Sequence, residues 1–83
     1  MQYRPVFSDA AVTFVVSQTR RRQEKILHRA QELARYPFLA PDFRSPDEEG
    51  RAISHILIEG ILFSFWVDDA VRVVMIVDIE EGK

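Results

Sequence analysis

Three short apolar runs, at residues 52–59, 61–68 and 71–79, are separated only by Gly60 and by Asp69-Ala70. Strands joined by turns this tight must be antiparallel neighbours, because a parallel pair needs a crossover of about a dozen or more residues. The last third of the chain therefore reads as a three-stranded antiparallel meander. Within it, Ile61, Phe63, Phe65 and Val67 alternate with Leu62, Ser64, Trp66 and Asp68. In the following run, Val71, Val73, Met75, Val77 and Ile79 alternate with Arg72, Val74, Ile76, Asp78 and Glu80. Period-two alternation sends the two sets to opposite faces, and the first set of each run is expected to take the core. The second face then carries Leu62, Trp66, Val74 and Ile76 among polar neighbours. A half-buried antiparallel sheet normally shows polar residues there. A contiguous apolar patch centred on a tryptophan is thus a candidate partner site, unless the chain's own loop or C-terminal tail folds over it.

The residues ahead of the meander read as helical. Residues 3–7 alternate aromatic and polar positions but include Pro5, which confines a strand there to a sheet edge or its start. Ser8 is a plausible N-cap for a short helix through about Ser17, with Asp9 in its first turn. The β-branched run Val12, Thr13, Val15 and Val16 suits a strand equally well. Thr19 reads as the N-cap of a longer helix ending near Tyr36, before Pro37. Its Gln23, Ile26, Leu27, Ala30, Leu33 and Ala34 recur at three- and four-residue spacings, while Arg22, Lys25, Arg29, Glu32 and Arg35 lie off that stripe. Residues 37–50 hold three prolines and Asp47-Glu48-Glu49, and read as an irregular connection pinned by Phe38, Leu39 and Phe43. The expected fold is α+β, in one domain over residues 1–83: an N-terminal edge strand, a helical hairpin and the three-stranded antiparallel meander, with four strands in one sheet and both helices on one face.

Composition narrows the chemistry. The chain has 83 residues, 47% hydrophobic and 29% charged, a globular balance. It contains no cysteine and two separated histidines, His28 and His55, so no thiolate or zinc chemistry is expected and no metal or cofactor. No apolar run approaches the roughly 20 residues of a membrane span, and a cytoplasmic address without membrane contact is the expectation. Residues 1–41 carry seven basic and three acidic groups, residues 42–83 four basic and ten acidic. That leaves +4 on the helical half and −6 on the sheet half, which suggests either two surfaces with different partners or charge that only keeps the domain soluble.

Taken together, Tyr3-Arg4-Pro5-Val6-Phe7-Ser8, Arg20-Arg21-Arg22 opening the second helix, Leu33-Ala34-Arg35-Tyr36-Pro37-Phe38 closing it, Ile53-Ser54-His55-Ile56-Leu57-Ile58-Glu59-Gly60 and Phe63-Ser64-Phe65-Trp66-Val67-Asp68-Asp69 resemble the RelE/ParE superfamily of bacterial toxins. The resemblance covers nearly the whole chain. It implies the toxin half of a type II toxin–antitoxin pair, wrapped by a disordered antitoxin segment. RelE-like members cleave messenger RNA in the ribosome, and ParE-like members inhibit DNA gyrase.

Cleavage through the 2′-hydroxyl needs a base, an acid for the leaving oxygen and a cation for the phosphorane. The resemblance implies an arginine in the middle meander strand and basic or tyrosine groups after the last one, but Leu62 stands at the first position and Asp78-Ile79-Glu80-Glu81-Gly82-Lys83 closes the chain. A reduced cluster of Arg51, His55 and Arg72 remains as the candidate catalytic set. An acidic sheet half that repels phosphates weighs against it. The expected function is consequently a ParE-like toxin acting by protein binding, its antitoxin docking on Leu62, Trp66, Val74 and Ile76 together with Arg21, Arg22, Lys25 and Arg29 of the helix. The alternatives are a ribosome-dependent messenger endoribonuclease using Arg51, His55 and Arg72, or a non-toxic paralogue that associates with itself, for instance as a two-fold dimer through the same face.

Overall fold

The structure is a computed structural model and describes residues 2–82. In chain order its elements are β1 (Arg4–Phe7), α1 (Asp9–Val16), α2 (Arg20–Arg35), β2 (Phe43–Pro46), β3 (Ala52–Ile58), β4 (Ile61–Asp68) and β5 (Val73–Glu81). The five strands form one sheet in the order β1-β5-β4-β3-β2. Neighbours β2 to β5 pair antiparallel, and β1 joins β5 parallel, a connection that the intervening helices make possible.

The edge strand, the helical hairpin and the first two meander strands stand where the sequence places them, but the last strand begins at Val73, so the turn before it spans residues 69–72 and Val71, expected in the core, is exposed. Ser8 caps α1, its Oγ accepting from the Ala11 N–H at 3.1 Å and donating to the Val77 carbonyl at 2.8 Å, which ties the helix start to β5. That cap decides the β-branched run in favour of helix. Thr19 caps α2 by accepting from the Arg22 N–H at 3.3 Å. Ile26, Ala30, Leu33 and Ala34 of α2 join Ala11 and Val15 of α1 over Ile61, Phe63 and Phe65 of β4 and Val74, Ile76 and Ile79 of β5. Leu27, expected on the buried stripe, is largely exposed.

Two expectations are corrected. The connection 37–50 is not wholly irregular, because residues 43–46 add a fifth strand beside β3, with Phe43 opposite His55 and Ser45 opposite Ile53. The strand is locked at both ends: the Asp42 N–H donates to the His55 carbonyl at 2.9 Å, the Asp47 N–H to the Arg51 carbonyl at 2.8 Å, and the Asp42 carboxylate accepts from the Leu57 N–H at 2.7 Å. Four residues ending in proline give too little periodicity to read as a strand from sequence, yet an edge tolerates them.

The second correction concerns faces. The β4–β5 register passes from Ser64↔Asp78 directly to Phe65↔Ile76, so Val77 is an extra residue in β5. One inserted residue inverts the alternation beyond it. Val74 and Ile76, expected on the open face, are therefore core residues at 0% exposure, and Met75 sits opposite Trp66 instead.

Hydrogen bonds from the Arg4 N–H to the Arg72 carbonyl and from the Ser8 N–H to the Ile76 carbonyl turn the backbone of Pro5 away from β5. The Asp47–Arg51 bond likewise turns the backbone of Pro46 away from β3. Each outer edge of the sheet thus presents a residue without an N–H, which discourages pairing with another strand. Between β3 and β4, Glu59 (φ 52°) and Gly60 (φ 83°) are both left-handed, the geometry of a two-residue type I′ hairpin turn. A non-glycine residue in that conformation costs about 1–2 kcal/mol.

Candidate functional site

The open face of the sheet is assembled from alternate residues of β2, β3 and β4. Phe43, His55 and Ser64 stand side by side across three strands, and Ser45, opposite Ile53, is the diagonal neighbour of His55 on the same face. The His55 Nε2 lies 2.7 Å from the Ser45 Oγ and its Nδ1 2.8 Å from the Ser64 Oγ, while the Phe43 ring stacks on the imidazole at 4.4 Å and 11°. A neutral imidazole has one donor and one acceptor, so both are already satisfied within the protein. Ser64 is 5% exposed. As arranged, the row is a closed polar chain, and a substrate would have to displace a serine to reach either nitrogen.

Arg51 is engaged as well. Its guanidinium lies 4.1 Å above the Trp66 ring and 3.4 Å from the Glu49 carboxylate, with Asp47 at 3.9 Å. Arg72 occupies the turn between β4 and β5 in a left-handed conformation (φ 57°), 5.6 Å from the Tyr3 ring. Tyr3 donates to the Asp69 carboxylate, and that bond holds the phenol pKa above its ordinary value. Arg51 and His55 thus stand at opposite ends of a five-residue stretch leading into β3, with separate partners, and Arg72 lies across β4 from them, just before β5. The three candidate catalytic residues do not converge.

The candidate partner residues divide in a similar way. Leu62 and Trp66 are half-buried on the open face, whereas Val74 and Ile76 lie in the core, out of reach of a partner. On α2, Arg21 is exposed. Arg22 pairs with Glu81 at 2.9 Å, Lys25 with Glu59 at 3.1 Å, and Arg29 with Glu32 at 2.6 Å and also with Glu59. The opposite charges of the helical and sheet halves meet within the molecule. These pairs hold the Glu32 and Glu59 carboxyls below the usual carboxylate range, chiefly through hydrogen bonds from Arg29 to Glu32 and from Lys25 to Glu59. They also raise the Arg29 guanidinium, with the Glu32 bond the larger cause.

A surface the sequence reading did not single out lies on the helix side of the sheet. Between the end of α2 and β3 runs an apolar groove of about 230 Å³ lined by Glu32, Leu33, Tyr36, Leu39, Ile56 and Ile58. Tyr36 is 57%, Phe38 69% and Leu39 54% exposed. The signal was present as Tyr36-Pro37-Phe38-Leu39, which reads as a pin for the connection; Pro37 is buried, but the large side chains beside it are not. Among the described residues, no group of three or more histidine, cysteine, aspartate or glutamate side chains could hold a metal ion. No described helix is long and apolar enough to cross a membrane.

A short helical hairpin packed on one face of a mostly antiparallel five-stranded sheet defines a class of small α+β domains. Within that class the fold is that of the RelE toxins. The chain superposes on the toxin–antitoxin complex RelBE2 of Mycobacterium tuberculosis with a TM-score of 0.77 at 17% identity, covering 98% of this chain and 99% of that one. It matches the archaeal RelE–RelB complex of Pyrococcus horikoshii OT3 with a TM-score of 0.72 at 13% identity, over 98% and 96% of the two chains. The isolated Escherichia coli RelE toxin gives 0.74 at 17% identity, over 98% and 85%. No protein-family model matches the chain, and no curated protein matches it significantly.

Proposed function

We propose that this chain is the toxin half of a toxin–antitoxin pair and acts by binding protein, its antitoxin docking in the groove between α2 and β3. The exposed apolar groove carries this reading. Tyr36, Leu39, Ile56 and Ile58, above the buried Leu33, offer a row of apolar contacts with no covering segment among the described residues, and apolar side chains of a partner helix would suit it. Strand addition is the weaker mode, because Pro5 and Pro46 face outward at the two sheet edges. Two of the similar solved structures are toxin–antitoxin complexes, which agrees with a partnered toxin. Gyrase and the ribosome remain the candidate targets, and a cytoplasmic site of action follows from either.

A messenger endoribonuclease is the second reading, and the observation in its favour is that the hydrogen-bonded His55 and Arg51 both lie on the open face of the sheet. Against it stand the satisfied imidazole, the acids around Arg51 and the distance of Arg72. The test is expression of the chain in a bacterial host, alone and with a small protein encoded beside it. Growth should stop with the chain alone and resume with the pair. Leu39→Asp, which puts a charge in the groove, should prevent that rescue. Unimpeded growth with the chain alone would refute the toxin reading, and rescue that survives Leu39→Asp would refute the groove as the docking site.

A further inference from the structure

Glu59 occupies a position its backbone disfavours. The first residue of a type I′ turn is ordinarily asparagine, aspartate or glycine, yet here a glutamate sits at φ 52°. Its two carboxylate oxygens are divided between α2 cations, Oε1 lying 3.1 Å from the Lys25 Nζ and Oε2 taking the Arg29 Nη2. The hairpin turn gains nothing from this residue, whereas the helix-to-sheet clasp does. The clasp is also incomplete: among the described residues the buried Arg29 Nε has no hydrogen-bond partner. Nε and Nη2 form one edge of the guanidinium, suited to a two-pronged carboxylate, and Glu59 engages only half of it. Arg29 lies one helical turn before Leu33, about 6 Å along α2 from the start of the groove.

We propose that Glu59 is an internal stand-in: it holds Lys25 and Arg29 until an acidic-apolar helical segment of a partner docks in the groove and presents its own carboxylate to them. The inference rests on the docking reading above and specifies the partner's chemistry. Apolar side chains at helical spacing meet Tyr36, Leu39, Ile56 and Ile58, and an aspartate or glutamate follows one turn further on, beyond the groove, at Arg29. The charge complementarity is local, since Glu32 stays on the Arg29 Nη1 at 2.6 Å and leaves the other edge to the incoming group.

The experiment compares the full chain with Glu59→Gln, using a fluorescein-labelled amphipathic peptide of about 18 residues. It carries leucines on one face and glutamates at the end that reaches Arg29; a second peptide has glutamines in their place. At low salt, Glu59→Gln should bind the acidic peptide about tenfold tighter than the parent, because the competing carboxylate is gone. The glutamine peptide should bind the two proteins equally. Glu59→Asn, which suits the left-handed turn, should behave like Glu59→Gln, and unchanged hydrogen exchange in β4 and β5 confirms that both variants keep the fold. Equal or weaker binding of the acidic peptide by both variants overturns the stand-in. Failure of either peptide to bind any of the proteins overturns the groove itself, and with it the stand-in.

Discussion

The open face of the sheet and the groove beside α2 are built from the same strand, β3, and differ in whether their chemistry is finished. On the open face, His55 spends both nitrogens on Ser45 and Ser64, Phe43 covers the ring, and Arg51 rests on Trp66 between Asp47 and Glu49. On the other side of the same strand, Ile56 and Ile58 look into a groove whose far wall, Tyr36 and Leu39, is more than half exposed. A satisfied polar row adds stability and register. An unfilled apolar one leaves free energy to be gained by association. The side with residues that look chemical is the one whose polar groups are already paired, and the side without them is the one that leaves apolar surface uncovered among the described residues.

The contrast can be broken most forcefully at the core that separates the two. Ile76→Ala should cost about 2–5 kcal/mol in denaturant unfolding, since the side chain is fully buried beneath α1 and α2. A cost below 0.5 kcal/mol would return Ile76 to the open face and undo the assigned bulge at Val77. His55→Ala should cost less, about 1–3 kcal/mol, by leaving the Ser45 and Ser64 hydroxyls without their shared partner. The same measurement distinguishes a structural row from a catalytic one, because a histidine held for chemistry is more often removed with little loss of stability. Leu39→Ser should leave unfolding within about 0.5 kcal/mol of the parent while weakening any groove-bound partner by tenfold or more. A large loss of stability there would make Leu39 a core residue.

The smallest expected effect is electrostatic. Glu32 and Glu59 have folded-state pKa values below those of the unfolded chain. Their contribution is therefore fully present above the unfolded glutamate value of about 4.3 and is lost as pH falls through the lower folded values. Unfolding followed from pH 6 down to pH 3 should show a loss of stability below that point that is smaller in Glu59→Gln. An identical acid profile in the variant would mean that the Lys25 and Arg29 pairs contribute nothing to folding.

Much of this comparison was legible in the sequence, though not where it mattered most. The tight turn at Gly60 and the short connection after Asp68 determine the meander, although that connection runs to residue 72 and not only through Asp69-Ala70, and the Ser8 and Thr19 caps start both helices on the residues expected. The faces of β5 were not legible, because alternation continues unbroken through Val77 and only the register with β4 exposes the extra residue. The β2 strand escaped for a different reason: four residues between prolines show no period, and the hydrogen bonds that stabilise them come from distant partners at His55, Arg51 and Leu57. The charged face of α2 could be seen but not its pairing, which depends on the β3–β4 turn and the end of β5 lying beneath it. His55 and Arg51 were legible as candidates, while their engagement by Ser45, Ser64, Trp66, Asp47 and Glu49 required the fold.

The central claim is that this chain acts by binding and not through chemistry at His55. Its most direct test is the growth of a bacterial host after induction of the parent chain and of His55→Ala, with both proteins shown to be folded and equally abundant. The account predicts arrest by both to the same extent. Arrest by the parent that His55→Ala relieves, accompanied by messenger cleavage, would contradict it.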